Sequence, residues 1–250
     1  MPDQPAPARR RAAFAAVAAA CVLAVGACSA DEVEPATAQV SAEPSASPSP
    51  TAENGIDRLS PGQALAAVRS ALTEAGTYRV SGTTMAGGTI DISFVVGQGS
   101  TGTVDLGAPV SLVSVGGQVF ITGDEQFLAE KVGGAEAAWI AGKWVLLPED
   151  STSGFAIFVD GQRFAATLFG DQGPAEMTPL TEVAGVPAVG LLFPETGGTL
   201  WVAADGAALP LRFEEKGANA GQGVLTFGNY GAELALAAPP PELVVTTTVG

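Results

Sequence analysis

The segment TIDISFVV, Thr89 to Val96, alternates without a break. Ile90, Ile92, Phe94 and Val96 fall on one side and Thr89, Asp91 and Ser93 on the other. A period of two marks a strand with one buried and one wetted face, so the chain must build a sheet whose apolar face something else covers. Other segments supply that sheet. VSLVSV (Val110–Val115) and QVFITG (Gln118–Gly123) flank Gly116-Gly117, a two-residue hairpin signal. KWVLLP follows Gly142, and GTLWVAADGAALPLRFEE (Gly198–Glu215) reads as two strands around Asp205-Gly206, with Leu209, Leu211 and Phe213 facing one way. GQGVLTFGNYG, Gly221 to Gly231, adds one more.

Two regions have helical character instead. SPGQALAAVRSALTEAG, Ser60 to Gly76, carries Ser60 as N-cap, Pro61 at the first position, Gln63 to close a capping box and Gly76 past the end. Leu65, Val68 and Leu72 share one face of it, bordered by alanines. In Ser151–Gly170, Phe155, Phe158, Val159, Leu168 and Phe169 recur near helical spacing, with Asp160-Gly161 dividing two short helices. Strands, helices and strands again, within about 190 residues, predict one α+β domain over residues 59–250. Its sheet carries one apolar face under phenylalanine-rich helices, a pattern that a filled core and a partly hollow one both satisfy.

The N-terminus sets the compartment. Arg9, Arg10 and Arg11 precede the uncharged run AAFAAVAAACVLAVGA, a basic and then a short apolar segment ending in small residues. That is an export signal, too short to span a bilayer comfortably. Its end, Val25-Gly26-Ala27-Cys28, resembles the lipobox of bacterial lipoproteins. The resemblance implies cleavage after residue 27 and a diacylglyceryl group on the thiol of Cys28, so the mature protein sits lipid-anchored on the outer, extracytoplasmic face of the cell membrane. Two acyl chains, at ~0.8 kcal/mol per buried methylene, hold durably where one is marginal.

Removal of residues 1–27 discards Cys21, Asp3 and the three arginines. It leaves 25 acids against 8 bases, a formal charge of −17, and no free thiol. Disulfides, thiolate catalysis and cysteine metal sites are thereby excluded. So acidic a chain repels nucleic acid. Residues 28–58, rich in Ala, Ser, Pro and Glu with no apolar period up to about Asn54, read as the lipidated cysteine and a disordered tether.

Several longer segments carry a second resemblance. A helix followed by Tyr78-Arg79-Val80-Ser81-Gly82, then GKWVLLP, the helical insert, VAGVPAVGLLF, TLWVAADGAALPLRFEE and LTFGNYGAELALAAPPPELV stand in an order similar to that of actinobacterial envelope lipoproteins of the LppX/LprG type. The similarity runs from about Leu59 to Val245. It implies a LolA-like fold, an open antiparallel β half-barrel with helices across its concave face. It also implies an apolar cavity holding acyl chains of a lipid or glycolipid for transport or presentation, and an envelope transporter as partner. Phe155, Phe158, Val159, Leu168 and Phe169 are the expected walls, with Ile90, Ile92 and Phe94 opposite. A scaffold or interaction lipoprotein of the same fold, without a working cavity, is the alternative.

Chemistry is sparse. The chain has no histidine, which removes histidine-dependent triads and metal sites. No enzyme activity, metal or cofactor is expected. GQGSTG (Gly97–Gly102) matches a dinucleotide fingerprint by letter, but TVDLG follows it as strand, so a hairpin loop is expected. The pairs Asp124-Glu125 and Glu214-Glu215, read as lying on strands, would point to opposite faces and be solvated. Trp139, Trp144 and Trp201 read as packing residues.

Overall fold

The computed structural model describes residues 52–105, 107–132, 140–148, 154–170, 172–215 and 223–246. The export segment, Cys28, the tether as far as Thr51, Trp139 and Ser151–Ser153 lie outside the described residues.

The described residues form an α+β domain around one sheet. Its strands are β1 (Thr77–Thr83), β2 (Thr89–Val95), β3 (Gly99–Asp105), β4 (Pro109–Val115), β5 (Gln118–Gly123) and β6 (Trp144–Leu146), then β7 (Glu176–Met177), β8 (Thr181–Val183), β9 (Val186–Leu192), β10 (Thr199–Ala203), β11 (Pro210–Glu214), β12 (Val224–Gly228) and β13 (Val244–Thr246). The order across the sheet is β13-β6-β5-β4-β3-β2-β1-β12-β11-β10-β9-β7, with β8 also on β9. Neighbours are antiparallel except β13, which lies parallel to β6.

Alternation in the sequence becomes one continuous apolar face. Facing residues run across seven strands as Phe227, Val80, Ile92, Gly102, Leu112, Ile121 and Val145. All are buried except Gly102. Gly116 and Gly117 close the β4–β5 hairpin with φ of +60° and +79°. Both values belong to the turn whose twist matches that of the strands, and glycine adopts them without steric cost. In GQGSTG, Gly97 lies in the β2–β3 turn while Gly99 and Gly102 lie within β3. No helix opens there.

Three expectations need correction. Leu209, Leu211 and Phe213 do not share a face: Trp201 faces Arg212 whereas Val202 faces Pro210. This β-bulge leaves Leu211 without a facing residue and shifts the alternation, so Pro210 and Phe213 are the buried pair. Asp124 is not on a strand. It follows β5, and its Oδ1 accepts the backbone N–H of Phe127 at 2.7 Å, capping α2 (Glu125–Val132), a helix the alternation did not expose. The fold also begins ahead of Leu59. Ala52 and Ile56 are buried, the backbone N–H of Asn54 donates to Ala204 O at 3.0 Å, and its side-chain amide donates to Ala203 O at 2.9 Å. One small, one polar and one apolar residue dock this stretch, too few to give it a period.

Two further helices matter for the site. The first, α1, spans Pro61–Ala75 with the expected capping box: Ser60 Oγ accepts from Gln63 N, and Gln63 Oε1 accepts from Ser60 N at 3.0 Å. Its buried stripe is Ala64, Val68, Ala71 and Leu72, with Leu65 half-buried beside it. The second, α3 (Gly161–Gly170), follows a 3-10 turn at Ala156–Phe158, divided from it at Asp160 as expected. Both helices pack on the apolar face of the sheet through the same core.

Candidate functional site

The α3 helix is seated by contacts at its first turn. Tyr78, buried on β1, donates its hydroxyl to Gly161 O at 2.6 Å, and Asp160 Oδ1 accepts from Gly97 N at 2.9 Å. A Cβ on Gly161 would stand 2.9 Å from the Tyr78 ring and 3.0 Å from Phe94 Cβ, so only glycine allows this approach. Burial pushes the Tyr78 phenol far above its ordinary range, with the Asp160 carboxylate adding to it. Tyr78 is therefore a neutral hydrogen-bond donor.

Beneath α3 the interior is aromatic. Phe94 packs tilted against Tyr78 at 5.0 Å and against Phe164 at 5.0 Å, and Phe164 lies 6.2 Å from Phe158. Phe169 meets Phe227 at 6.1 Å. These separations are those of contacting rings. Ser100 Oγ, also buried, donates to Phe158 O and fixes the 3-10 turn over β3.

All eight residues expected to wall a cavity fall in this region. Ile90, Ile92, Phe94, Phe155, Phe158 and Phe169 are buried members of one apolar cluster, and Val159 and Leu168 pack half-buried against it. The structure brings the strand set and the helix set into one cluster, in which Phe164 joins Phe94 to Phe158.

One recess lies beside this region. Between α1 and α3, at the end of the sheet marked by the β2–β3 turn, a cleft of about 310 Å³ opens to the surface. From α1 it is lined by Arg69, Leu72 and Thr73, from β1 by Tyr78 and from the β2–β3 turn by Val96. The α3 side is Gly161, Gln162, Ala165 and Ala166. None of the eight expected wall residues lines it. Most of its wall is apolar, and Arg69 stands exposed at its margin.

Of these lining residues, Leu72 and Val96 were legible as apolar stripe positions. Arg69, Gln162, Ala165 and Ala166 were not singled out, nor was Phe164, which joins Phe94 to Phe158. The missed signal for Phe164 is that Gly161, Phe164, Ala165 and Phe169 are the buried positions of α3, a helical stripe. For Arg69 it is a position four residues after Leu65, beside the apolar stripe of α1.

Among the described residues no three His, Cys, Asp or Glu side chains gather as a metal site, and no helix is long and apolar enough to cross a membrane. Compared with known proteins, the chain matches no family model, and no curated protein is significantly similar to it.

Proposed function

We propose that this chain is a membrane-anchored lipoprotein of the cell envelope, a LolA-like half-barrel that binds acyl chains of lipids or glycolipids for transport or presentation. The observation that carries the reading is the apolar cleft between α1 and α3, about 310 Å³ and open to solvent. That volume stands at the lower end of the ~300–1,000 Å³ of small-molecule pockets. Each methylene moved from water into such walls gains ~0.8 kcal/mol, and no polar partner is needed. The Val25-Gly26-Ala27-Cys28 lipobox supports anchorage through an acylated Cys28, on the outer face of the membrane. A chain of formal charge −17 after cleavage would not be held there by anionic headgroups. A membrane transporter that loads or unloads the cleft is the partner this reading calls for.

A second reading has its own observation. The rings of Phe94, Phe158 and Phe164 touch beneath α3, which favours an envelope scaffold of the same fold with a filled interior and no lipid cargo. Both readings are non-catalytic. The experiment is to purify the mature chain carrying Cys28→Ser, extract it with organic solvent and identify what is released by mass spectrometry. Lipid near one equivalent per chain supports the carrier. Protein free of lipid from several hosts refutes it and leaves the scaffold.

A further inference from the structure

We infer that the cleft between α1 and α3 takes one acyl chain with an anionic head, the chain among Leu72, Tyr78, Val96 and Ala165 and the head paired with Arg69. This rests on the lipid-binding reading and narrows it to single-chain anionic amphiphiles, such as a fatty acid or a monoalkyl phosphate.

Volume sets the number of chains. A cavity of about 150 Å³ lined by apolar side chains holds one benzene, six carbons. By the same measure the 310 Å³ of this cleft accommodates about a dozen carbons, one chain of moderate length. Two or three chains would require the packed rings of Phe94, Phe158 and Phe164 to separate. Because the cleft is open, a longer chain keeps its distal end in the mouth.

Charge sets the head. Arg69 is exposed, and among the described residues it makes no ion pair, unlike Arg79 with Asp91 and Arg212 with Glu214. Its neighbours are engaged: Thr73 Oγ1 donates to Arg69 O at 2.9 Å, and Glu74 accepts from Ser70 Oγ at 3.0 Å. Asp160, which precedes the lining residue Gly161, accepts from Gly97 N. In a chain this acidic, an unpaired guanidinium at the margin of an apolar cleft marks where a negative head is tolerated. Its planar fork matches a carboxylate or a phosphate in two hydrogen bonds. The surrounding negative charge opposes approach from afar. At ~0.15 M salt, where screening acts over ~8 Å, the local pair decides.

The test titrates the mature chain carrying Cys28→Ser, at that ionic strength and below micelle-forming concentrations, with dodecanoate, monododecyl phosphate and dodecyltrimethylammonium. Calorimetry is expected to show one site for either anion, with the cation at least tenfold weaker. Arg69→Gln should weaken the anions about tenfold, the loss of one charge-assisted contact, and leave the cation unchanged. Ala166→Trp, at an exposed position of α3, should block all three, with an unchanged thermal unfolding midpoint as the control. Equal binding of anion and cation, both blocked by Ala166→Trp, overturns the anionic head while the lipid-binding reading stands. No binding of any probe, with a multi-chain lipid extracted from the purified protein, overturns the single chain alone. No binding and no extracted lipid overturn both.

Discussion

Phe164→Ala decides whether the space under α3 is filled. Phe164 is 2% exposed, with the ring of Phe94 at 5.0 Å and that of Phe158 at 6.2 Å. In a packed interior its removal costs the transfer of the lost atoms plus the cavity left behind, together about 3–5 kcal/mol. Two lost ring contacts, worth ~0.5–1.5 kcal/mol each, place the expected value near 4 kcal/mol. If the ring instead bordered an empty hollow, the cavity contribution would vanish. Only transfer would remain, at most the ~1.5–3 kcal/mol of burying a large apolar side chain. Leu168→Ala, half-buried on the same helix, serves as the reference at about 1 kcal/mol, half the lower bound for a fully buried leucine. Urea unfolding of the mature chain carrying Cys28→Ser measures both, with the slope m reporting whether the unfolded reference has moved. In a domain of this size about 4 kcal/mol lowers the melting temperature by ~8–16 °C. A loss below about 2 kcal/mol at unchanged m, or one equal to that of Leu168→Ala, would refute the packed interior.

Two further outcomes follow from local geometry. Ser60→Ala removes the side-chain half of the capping box of α1 and should cost about 1 kcal/mol, read as a shift in urea midpoint; no shift would mean that packing alone holds the first turn. The Arg79 guanidinium donates to both oxygens of Asp91, at 2.6 and 2.5 Å, and this hydrogen bonding holds the carboxyl below its usual range. A depressed folded value stabilises above the unfolded value of about 3.8, and the benefit fades as pH falls through the folded value. With the side chains 42% and 46% exposed the pair is worth under about 1 kcal/mol. The stability difference between the parent and Asp91→Asn should therefore be present at neutral pH and absent in acid. A difference that persists at low pH would sink the assignment.

The parts of this fold that could be read in advance are those fixed by neighbours in sequence. The capping box at Ser60 and Gln63, the Gly116-Gly117 turn and the alternation through Ile90, Ile92 and Phe94 are each complete within a few residues. Most of what escaped depends on distant chain, and α2 escaped because its local signal is short. The bulge in β11 exists only relative to β10, because Leu211 has no facing residue between Trp201 and Val202. The parallel β13 needs β6, a hundred residues earlier by number: Val244 faces Trp144. The α2 helix is short, and its cap, Asp124, looks like one half of a surface acid pair until the Phe127 N–H is found on it.

The candidate site escaped for a different physical reason. A periodicity search marks large apolar residues, and large apolar residues in one stripe fill the space they face. Phe94, Phe158 and Phe169, chosen as walls on that basis, have become core. A cleft forms where facing residues are too small to meet: Gly161, Ala165 and Ala166 on α3 opposite Leu72 and Thr73 on α1. Gly161 makes the case most directly. Without a side chain it lets the helix start lie against Tyr78 and Phe94, and it takes nothing from the opening beside it. The same residue thus seats α3 on the sheet and leaves the recess open.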